Sequence, residues 1–169
     1  MNTLKVVVMG VSGCGKTTVG ELLAGHLGAS FLDGDSLHPQ QNVDKMAAGI
    51  PLDDDDRRPW LEEIGRQFAA EPSSLVIACS ALKHAYRSII RGGAPDVRFV
   101  HLHGTEELLA SRMAARPGHF MPTSLLTSQL QTLELLGPDE AGIMLDIAAT
   151  PLELAQQAAD WLQGSAAAQ

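Results

Sequence analysis

The chain has 169 residues, 45% of them hydrophobic, and carries a formal net charge of −8. That length and composition fit one globular domain around a single core and exclude a disordered chain. The acidic balance argues against a nucleic-acid partner, which needs a basic face, and no uncharged apolar stretch approaches the roughly 20 residues of a membrane span.

In chain order, short apolar runs alternate with longer amphipathic stretches, the pattern of parallel strands joined by crossover helices. The opening MNTLKVVVMGVSG has no long apolar core and no small-residue cleavage site, so a signal peptide is not expected and the expected location is cytoplasmic. Strands are predicted at Leu4–Met9, Ser30–Asp33, Leu75–Cys79, Val97–Leu102 and Ile143–Ile147. Helices are predicted near Lys16–Leu27, Asp54–Ala70, Ala81–Arg91, Thr105–Arg116, Thr123–Leu136 and Pro151–Leu162. The expected fold is a three-layer α/β/α sandwich. Two segments, His38–Asp56 and Arg116–Thr123, resist the alternation, and irregular segments after strand ends are where ligands bind in such folds. The tail GSAAAQ is expected to fray. Cys14 and Cys79 are the only cysteines, no disulfide framework, and suit a reducing compartment as small packing residues.

The first predicted strand runs into GVSGCGKT, Gly10–Thr17, which meets the pattern GxxxxGK[ST] through Gly10, Gly15, Lys16 and Thr17, with Gly13 as an extra glycine. Glycines let backbone N–H groups turn onto phosphate oxygens, and the following helix adds its positive end. Lys16 would reach the β and γ phosphates of a nucleotide, and the Thr17 hydroxyl would ligate Mg²⁺. A second, acidic metal partner is expected in such sites. LVIAC is followed by Ser80 and Ala81, so the acid must come from FLDGDSLHP. Asp33 and Asp35 are two apart, and in extended backbone they would point the same way. The alternative is that they are turn-forming residues around Gly34.

The loop alone does not say where the phosphate goes. A GTPase switch needs NKxD, which is absent, and the DxxG match Asp139–Gly142 precedes the last strand instead of following an inner one. A kinase needs a lid against hydrolysis. SRMAARPGHF offers one: Arg112 and Arg116 lie four apart on one helix face, before a break at Pro117 and Gly118. Arginines there can stack on a base or clamp the migrating phosphoryl group, or simply face the helix dipole.

Taken together, GVSGCGKT, FLDGDSLHP, NVDKMAAGIPLDDDDRRPW, CSALKHAYR, SRMAARPGHFMP and the DI closing the last strand resemble the gluconokinases, the small bacterial type of gluconate kinase. The likeness runs in order from about Val6 to Trp161. It implies a nucleoside-monophosphate-kinase-like P-loop fold with a five-stranded parallel sheet and a lid near 116–123. It also implies a substrate segment near 35–60, ATP and Mg²⁺ as cofactors, D-gluconate as the small-molecule partner, and a homodimer. The implied reaction moves the γ-phosphate of ATP to the 6-hydroxyl of gluconate.

The resemblance further implies nucleotide contacts at Ser12, Cys14, Thr18 and Arg112, catalytic work for Lys16, Asp33, Asp35 and Arg116, and acceptor contacts at Asp35, His38 and His119. By analogy with the similar paired aspartates of shikimate kinases, Asp33 would hold Mg²⁺ through water while Asp35 orients or deprotonates the hydroxyl. For the substrate carboxylate, Arg57 offers a two-pronged partner. It could equally pair with the acidic run Asp53–Asp56, and the resemblance favours the ligand role. Arg58 and Lys83 are further candidates. Arg87 reads equally as a solvated basic face and receives no role. His101 and His103 lack a third metal ligand at familiar spacing and read as an ordinary strand exit. One departure stands out: LELLGPDE delays to Pro138 a proline that the family places closer to QLQTLE, so a differently shaped loop is expected there.

Overall fold

The structure, a computed structural model, describes residues 3–11, 13–115 and 123–167. Ser12, Arg116, His119 and all of the expected lid except Thr123 lie outside the described residues.

The apolar runs form β1 (Lys5–Met9), β2 (Ser30–Asp33), β3 (Leu75–Ala78), β4 (Arg98–His103) and β5 (Gly142–Asp146). They make one parallel sheet in the order β2-β3-β1-β4-β5. Val7 stands between Ile77 and Phe99 in register. Seven helices accompany the sheet among the described residues: α1 (Lys16–Leu27), α2 (Gln40–Ala47), α3 (Asp54–Ala70), α4 (His84–Gly93), α5 (Glu106–Ala114), α6 (Thr123–Thr132) and α7 (Pro151–Ala167).

Alternation along each strand sorts the core into two layers. Val6, Val8, Val76, Val100 and Leu102 pack with Val19 and Leu23 of α1 and Leu154, Ala158 and Leu162 of α7. Val7, Met9, Ile77 and Phe99 turn the other way, onto Trp60, Leu61, Ile64 and Phe68 of α3 and Ile90 of α4. The α3–α4 crossing is close because both helices present glycine there: a Cβ on Gly93 would stand 3.0 Å from the Gly65 carbonyl carbon. The fold is the expected α/β/α sandwich. After β1 the chain builds β3 and β2 to one side and then crosses to the other for β4 and β5, so the carboxyl end of β1 borders the crevice where ligands bind in sheets of this kind.

Several local expectations need correction. The irregular segment His38–Asp56 contains α2, an eight-residue helix that begins right after Pro39, whose fixed φ suits a helix start. Helix α4 begins at His84 rather than Ala81, because the chain first bends through Ala81 at φ 43, the one non-glycine with positive φ among the described residues. Helix α6 stops at Thr132 instead of reaching Leu136, since the Glu134 N–H turns to the Leu82 carbonyl at 2.7 Å and leaves the helix ladder. The backbone of α7 runs on to Ala167, where alanines favour helix over a frayed end.

Candidate functional site

The site is built first on backbone. Gly10, Gly13 and Gly15 hold φ of 149, 88 and 90, a region side chains rarely adopt. At Gly10 a Cβ would also lie 2.6 Å from the Leu102 carbonyl oxygen, and at Gly13 it would lie 2.5 Å from Met113 Cγ. Glycine at these places is therefore a steric demand of the loop as well as a conformational one. The Gly10 N–H donates to the Ser80 carbonyl at 3.3 Å, tying the loop to the exit of β3.

Helix α1 starts at Lys16 with no side-chain cap among the described residues and no acid in its first turn, which leaves its positive end able to take an anion. Lys16 Nζ donates to the Gly10 and Val11 carbonyls at 3.0 and 3.2 Å, and so lies folded over the loop. Thr17 and Thr18 are exposed at the helix start. Cys14 is buried, and burial raises its thiol above the ordinary range despite the nearby Lys16 charge. It is a packing residue with a backbone N–H in the loop.

The acids stand on the neighbouring strand. Asp33 ends β2, opposite Ala78 of β3. The chain then closes into a short 3-10 turn, Gly34–Leu37, in which Asp33 Oδ1 accepts the Asp35 N–H at 3.0 Å. The extended-backbone argument for the pair therefore fails: a turn, not strand alternation, sets their relation, and Asp33 serves that turn. One oxygen of Asp33 is engaged in this way. Gly34 is forced by space, since a Cβ there would sit 2.4 Å from the Ala78 carbonyl oxygen. Trp60 Nε1 donates to the Gly34 carbonyl at 2.7 Å, so α3 clamps the turn. The buried Cys79 thiol reports what surrounds the β3 exit. Burial pushes it up to about 12, Asp35 and Asp33 add to the rise, and Lys16 opposes it. Lysine and aspartates thus flank one strand end.

Residues after the turn build a wall from α2, α3 and the start of α4. Asp53 and Asp56 form a reciprocal cap on α3, with Asp53 Oδ1 accepting the Asp56 N–H at 2.7 Å and Asp56 Oδ2 accepting the Asp53 N–H at 3.1 Å. Lys45 of α2 grips both oxygens of Asp56 at 2.9 Å, and its hydrogen bond holds that carboxyl below the usual range.

Asp54, on the exposed side, takes the Tyr86 hydroxyl at 2.6 Å, with Lys83 Nζ at 3.5 Å and Arg57 Nη1 at 3.8 Å. The Tyr86 hydroxyl bond, then the Lys83 and Arg57 charges, lower its pKa. Arg57 Nη1 also donates to the Tyr86 hydroxyl at 3.2 Å. Both cations lie over the Tyr86 ring, at 5.6 and 5.4 Å from its centre. Arg57 and Lys83, 26 residues apart, are thereby brought together, and Arg57 also has the acidic partner weighed against a ligand role. Arg58 is exposed. His38 stacks on Trp60, ring centres 4.1 Å apart.

Arg112 of α5 donates to the Ile147 carbonyl at the root of the β5–α7 loop, next to Ala148–Pro151.

Three features escaped the sequence. Tyr86 organises the cation pair, and only HAYR spacing on a helix hinted at it. Asn42 is fully buried between α2 and α3. Arg87 is not a solvated basic face: it is fully buried and bonds Glu140 through Nε at 2.6 Å and Nη2 at 3.1 Å. Its remaining donors reach the Ala81 carbonyl at 2.8 Å and the Glu134 carbonyl at 2.9 Å. It thus supports the strained bend at Ala81 and pins the loop with the delayed proline to α4. His84 and Asp139, 3.0 Å apart, lie beside Glu140, but Arg87 and Arg91 already neutralise Glu140. The cluster reads as an ion-pair network.

Residues 6–136 match the protein family described as AAA domain. The chain is similar to the thermoresistant gluconokinase of Escherichia coli, 46% identical over 150 residues that cover 87% of this chain and 86% of that protein. It is similar also to the gluconokinase of Gluconobacter oxydans, 51% identical over 138 residues, 80% of this chain and 78% of that protein. Among solved structures, a gluconokinase from Sinorhizobium meliloti superposes with a TM-score of 0.83 at 45% identity, covering 96% of this chain and 97% of that one.

Proposed function

The chain belongs to the gluconokinase family, and from that premise we propose that it transfers the γ-phosphoryl group of ATP to the 6-hydroxyl of D-gluconate. The products are 6-phospho-D-gluconate and ADP. The observation that carries this reading is the convergence, at one end of the sheet, of the phosphate loop, the Asp33–Asp35 turn and the Arg57–Lys83 pair.

In the transfer, the gluconate 6-oxygen attacks the γ-phosphorus as the bond to the β,γ-bridging oxygen breaks and ADP leaves. The hydroxyl proton passes to Asp35. Such transfers rest on positioning and charge neutralisation more than on a strong base. Backbone N–H groups of the glycine loop and of the first turn of α1 hold the phosphates, and Lys16 neutralises charge on the β and γ groups. Arg57 and Lys83 receive the gluconate carboxylate, a role supported by the way Asp54, itself a carboxylate, lies against both. Arg112 and the loop 148–151 border the adenine. Arg116 and His119 act from the lid, and His38 contacts the acceptor.

The donors fit Mg²⁺. Thr17 offers a hydroxyl, Asp33 has a second oxygen not used by the turn, and hard oxygen ligands with retained waters are what this ion takes. When bound, it neutralises the phosphates; Asp33 would hold it through water. We extend the reading to one domain, with the acceptor segment near 35–60 and the lid near 116–123, and to a homodimer by family likeness. Two buried free cysteines favour the reducing cytoplasm.

The test is ADP release with ATP and Mg²⁺, with and without gluconate, and mass analysis of the product. Gluconate-dependent release with one phosphate added to gluconate supports the reading. Equal slow hydrolysis in both arms refutes it.

A further inference from the structure

Asn42 is fully buried, and both protons of its amide nitrogen are accounted for. Nδ2 donates to the Asp56 carbonyl at 2.8 Å and stands 3.2 Å from His38 Nδ1. The amide cannot be reversed, because its oxygen would then face the Asp56 carbonyl oxygen, two acceptors in contact. Its Oδ1 is buried without a partner among the described residues, an arrangement that costs stability and so calls for a reason beyond stability. With an N–H pointing at it, His38 Nδ1 must accept, and a proton on that nitrogen would meet another donor. The ring faces are fixed by Trp60, stacked at 4.1 Å and 17°. That leaves the edge bearing Nε2.

We infer that Asn42 is a positioning residue that locks His38 as a neutral imidazole with its proton on Nε2, so that His38 meets the acceptor substrate as a hydrogen-bond donor and cannot serve as its base. This rests on the reading of the His38–Arg57 wall as the gluconate side of the cleft. The charged groups that face His38 are Asp35 of the turn and Arg57 of α3. Burial lowers its pKa first, Asp35 opposes, and Arg57 reinforces the lowering. The neutral donor form is therefore favoured over that of a free histidine at the same pH, and the proton of the 6-hydroxyl is left to Asp35.

The first arm of the test reads the ring directly, by nitrogen NMR of the full chain labelled at histidine, with His38→Gln used to assign the signal. The expected result at neutral pH is a protonated Nε2 and a bare Nδ1, with a titration midpoint below the ordinary 6.5. A protonated Nδ1, or titration at the ordinary value, overturns the inference. In the second arm, His38→Gln keeps a donor near the Nε2 position, whereas His38→Asn places its amide nitrogen near Nδ1. The asparagine variant should raise KM for gluconate about tenfold, the size of one lost hydrogen bond, with KM for ATP unchanged. The glutamine variant, which keeps the donor, should raise KM for gluconate clearly less than the asparagine variant. Equal losses in both variants would overturn the donor role.

Asn42→Asp offers an acceptor instead. It should move the ring proton to Nδ1 and give KM for gluconate a pH dependence near and above 6.5. If that variant does not fold, the spectrum of the parent protein still decides. Failure of the gluconate assignment itself would appear as no gluconate-dependent ADP from the parent protein, which leaves the spectroscopic result standing.

Discussion

The two walls that the proposed function assigns to the nucleotide and to the acceptor are made by different means. The nucleotide wall is a backbone device: three glycines at positive φ and an uncapped helix start, all within Gly10–Thr18. The acceptor wall is a side-chain device, assembled from β2, α2, α3 and α4 by Trp60 on Gly34, Lys45 on Asp56, and Asp54 on Tyr86, Arg57 and Lys83. A backbone device is written in a few consecutive residues and tolerates little change within them. A side-chain device is spread over the chain, and a distant residue can disturb it.

Substitutions can break or sharpen that contrast. The largest effect is expected at Lys16→Met, which leaves the loop's backbone intact but removes its charge. Turnover should fall about 10³-fold, while circular dichroism and thermal midpoint stay near those of the parent. A collapse of stability instead would show that the lysine, folded over Gly10 and Val11, chiefly holds the loop together.

Next comes Arg87→Leu, remote from any phosphate. It leaves Glu140, whose side chain is fully buried, with Arg91 as its one remaining arginine partner among the described residues, and should cost about 3 kcal/mol in denaturant unfolding. Through the Ala81 bend and α4 it should also raise KM for gluconate more than KM for ATP. Equal changes in both constants would argue that the walls are not separable. The same pair predicts an acid limb. Burial raises the Glu140 pKa, but the Arg87 hydrogen bonds and the Gly137 N–H outweigh it, and the net folded value lies below the ordinary 4.5. A depressed carboxyl stabilises the fold above the unfolded pKa and loses that contribution as pH falls through the folded one. Unfolding free energy should therefore drop below about pH 4.5, and Glu140→Gln should flatten that part of the curve.

Asp35→Asn should lower turnover about 10²-fold and leave KM for ATP within about threefold. If turnover holds and ATP binding collapses, the division of roles is wrong. The smallest change is expected from Arg57→Ala, a rise in KM for gluconate of about 10- to 30-fold with turnover nearly kept. A smaller rise in Lys83→Ala would identify Arg57 as the main carboxylate partner.

The same contrast explains what was legible in the sequence. The strands begin and end within one residue of their expected limits, and α1 and α3 match theirs, because buried parallel strands are continuous apolar runs and both helices carry local start signals: a glycine loop for one, an acidic cap for the other. The phosphate loop was readable residue by residue for the same local reason. Helix α2 was missed because QQNVDKMA is short and mostly polar, with its few large apolar residues, Val43 and Met46, exposed, and it is held instead by Lys45 and Asn42 on Asp56. Arg87 was misread because nothing near it in sequence reveals Glu140, 53 residues away. Asp33 and Asp35 stand at the exit of β2, as the apolar run before them indicated, but the strand argument for their direction gave way to a turn.

The central claim is one of facing: the acid turn of the acceptor wall meets the last phosphate held by the nucleotide wall. Its most direct test is a crystal structure with gluconate, Mg²⁺ and a non-hydrolysable ATP analogue. The account predicts the gluconate 6-oxygen roughly 3–3.5 Å from the γ-phosphorus, with Asp35 in hydrogen-bond reach of that oxygen and the sugar-acid carboxylate on Arg57. An acceptor seated elsewhere, with Asp33 and Asp35 turned away from the γ-phosphate, would contradict it.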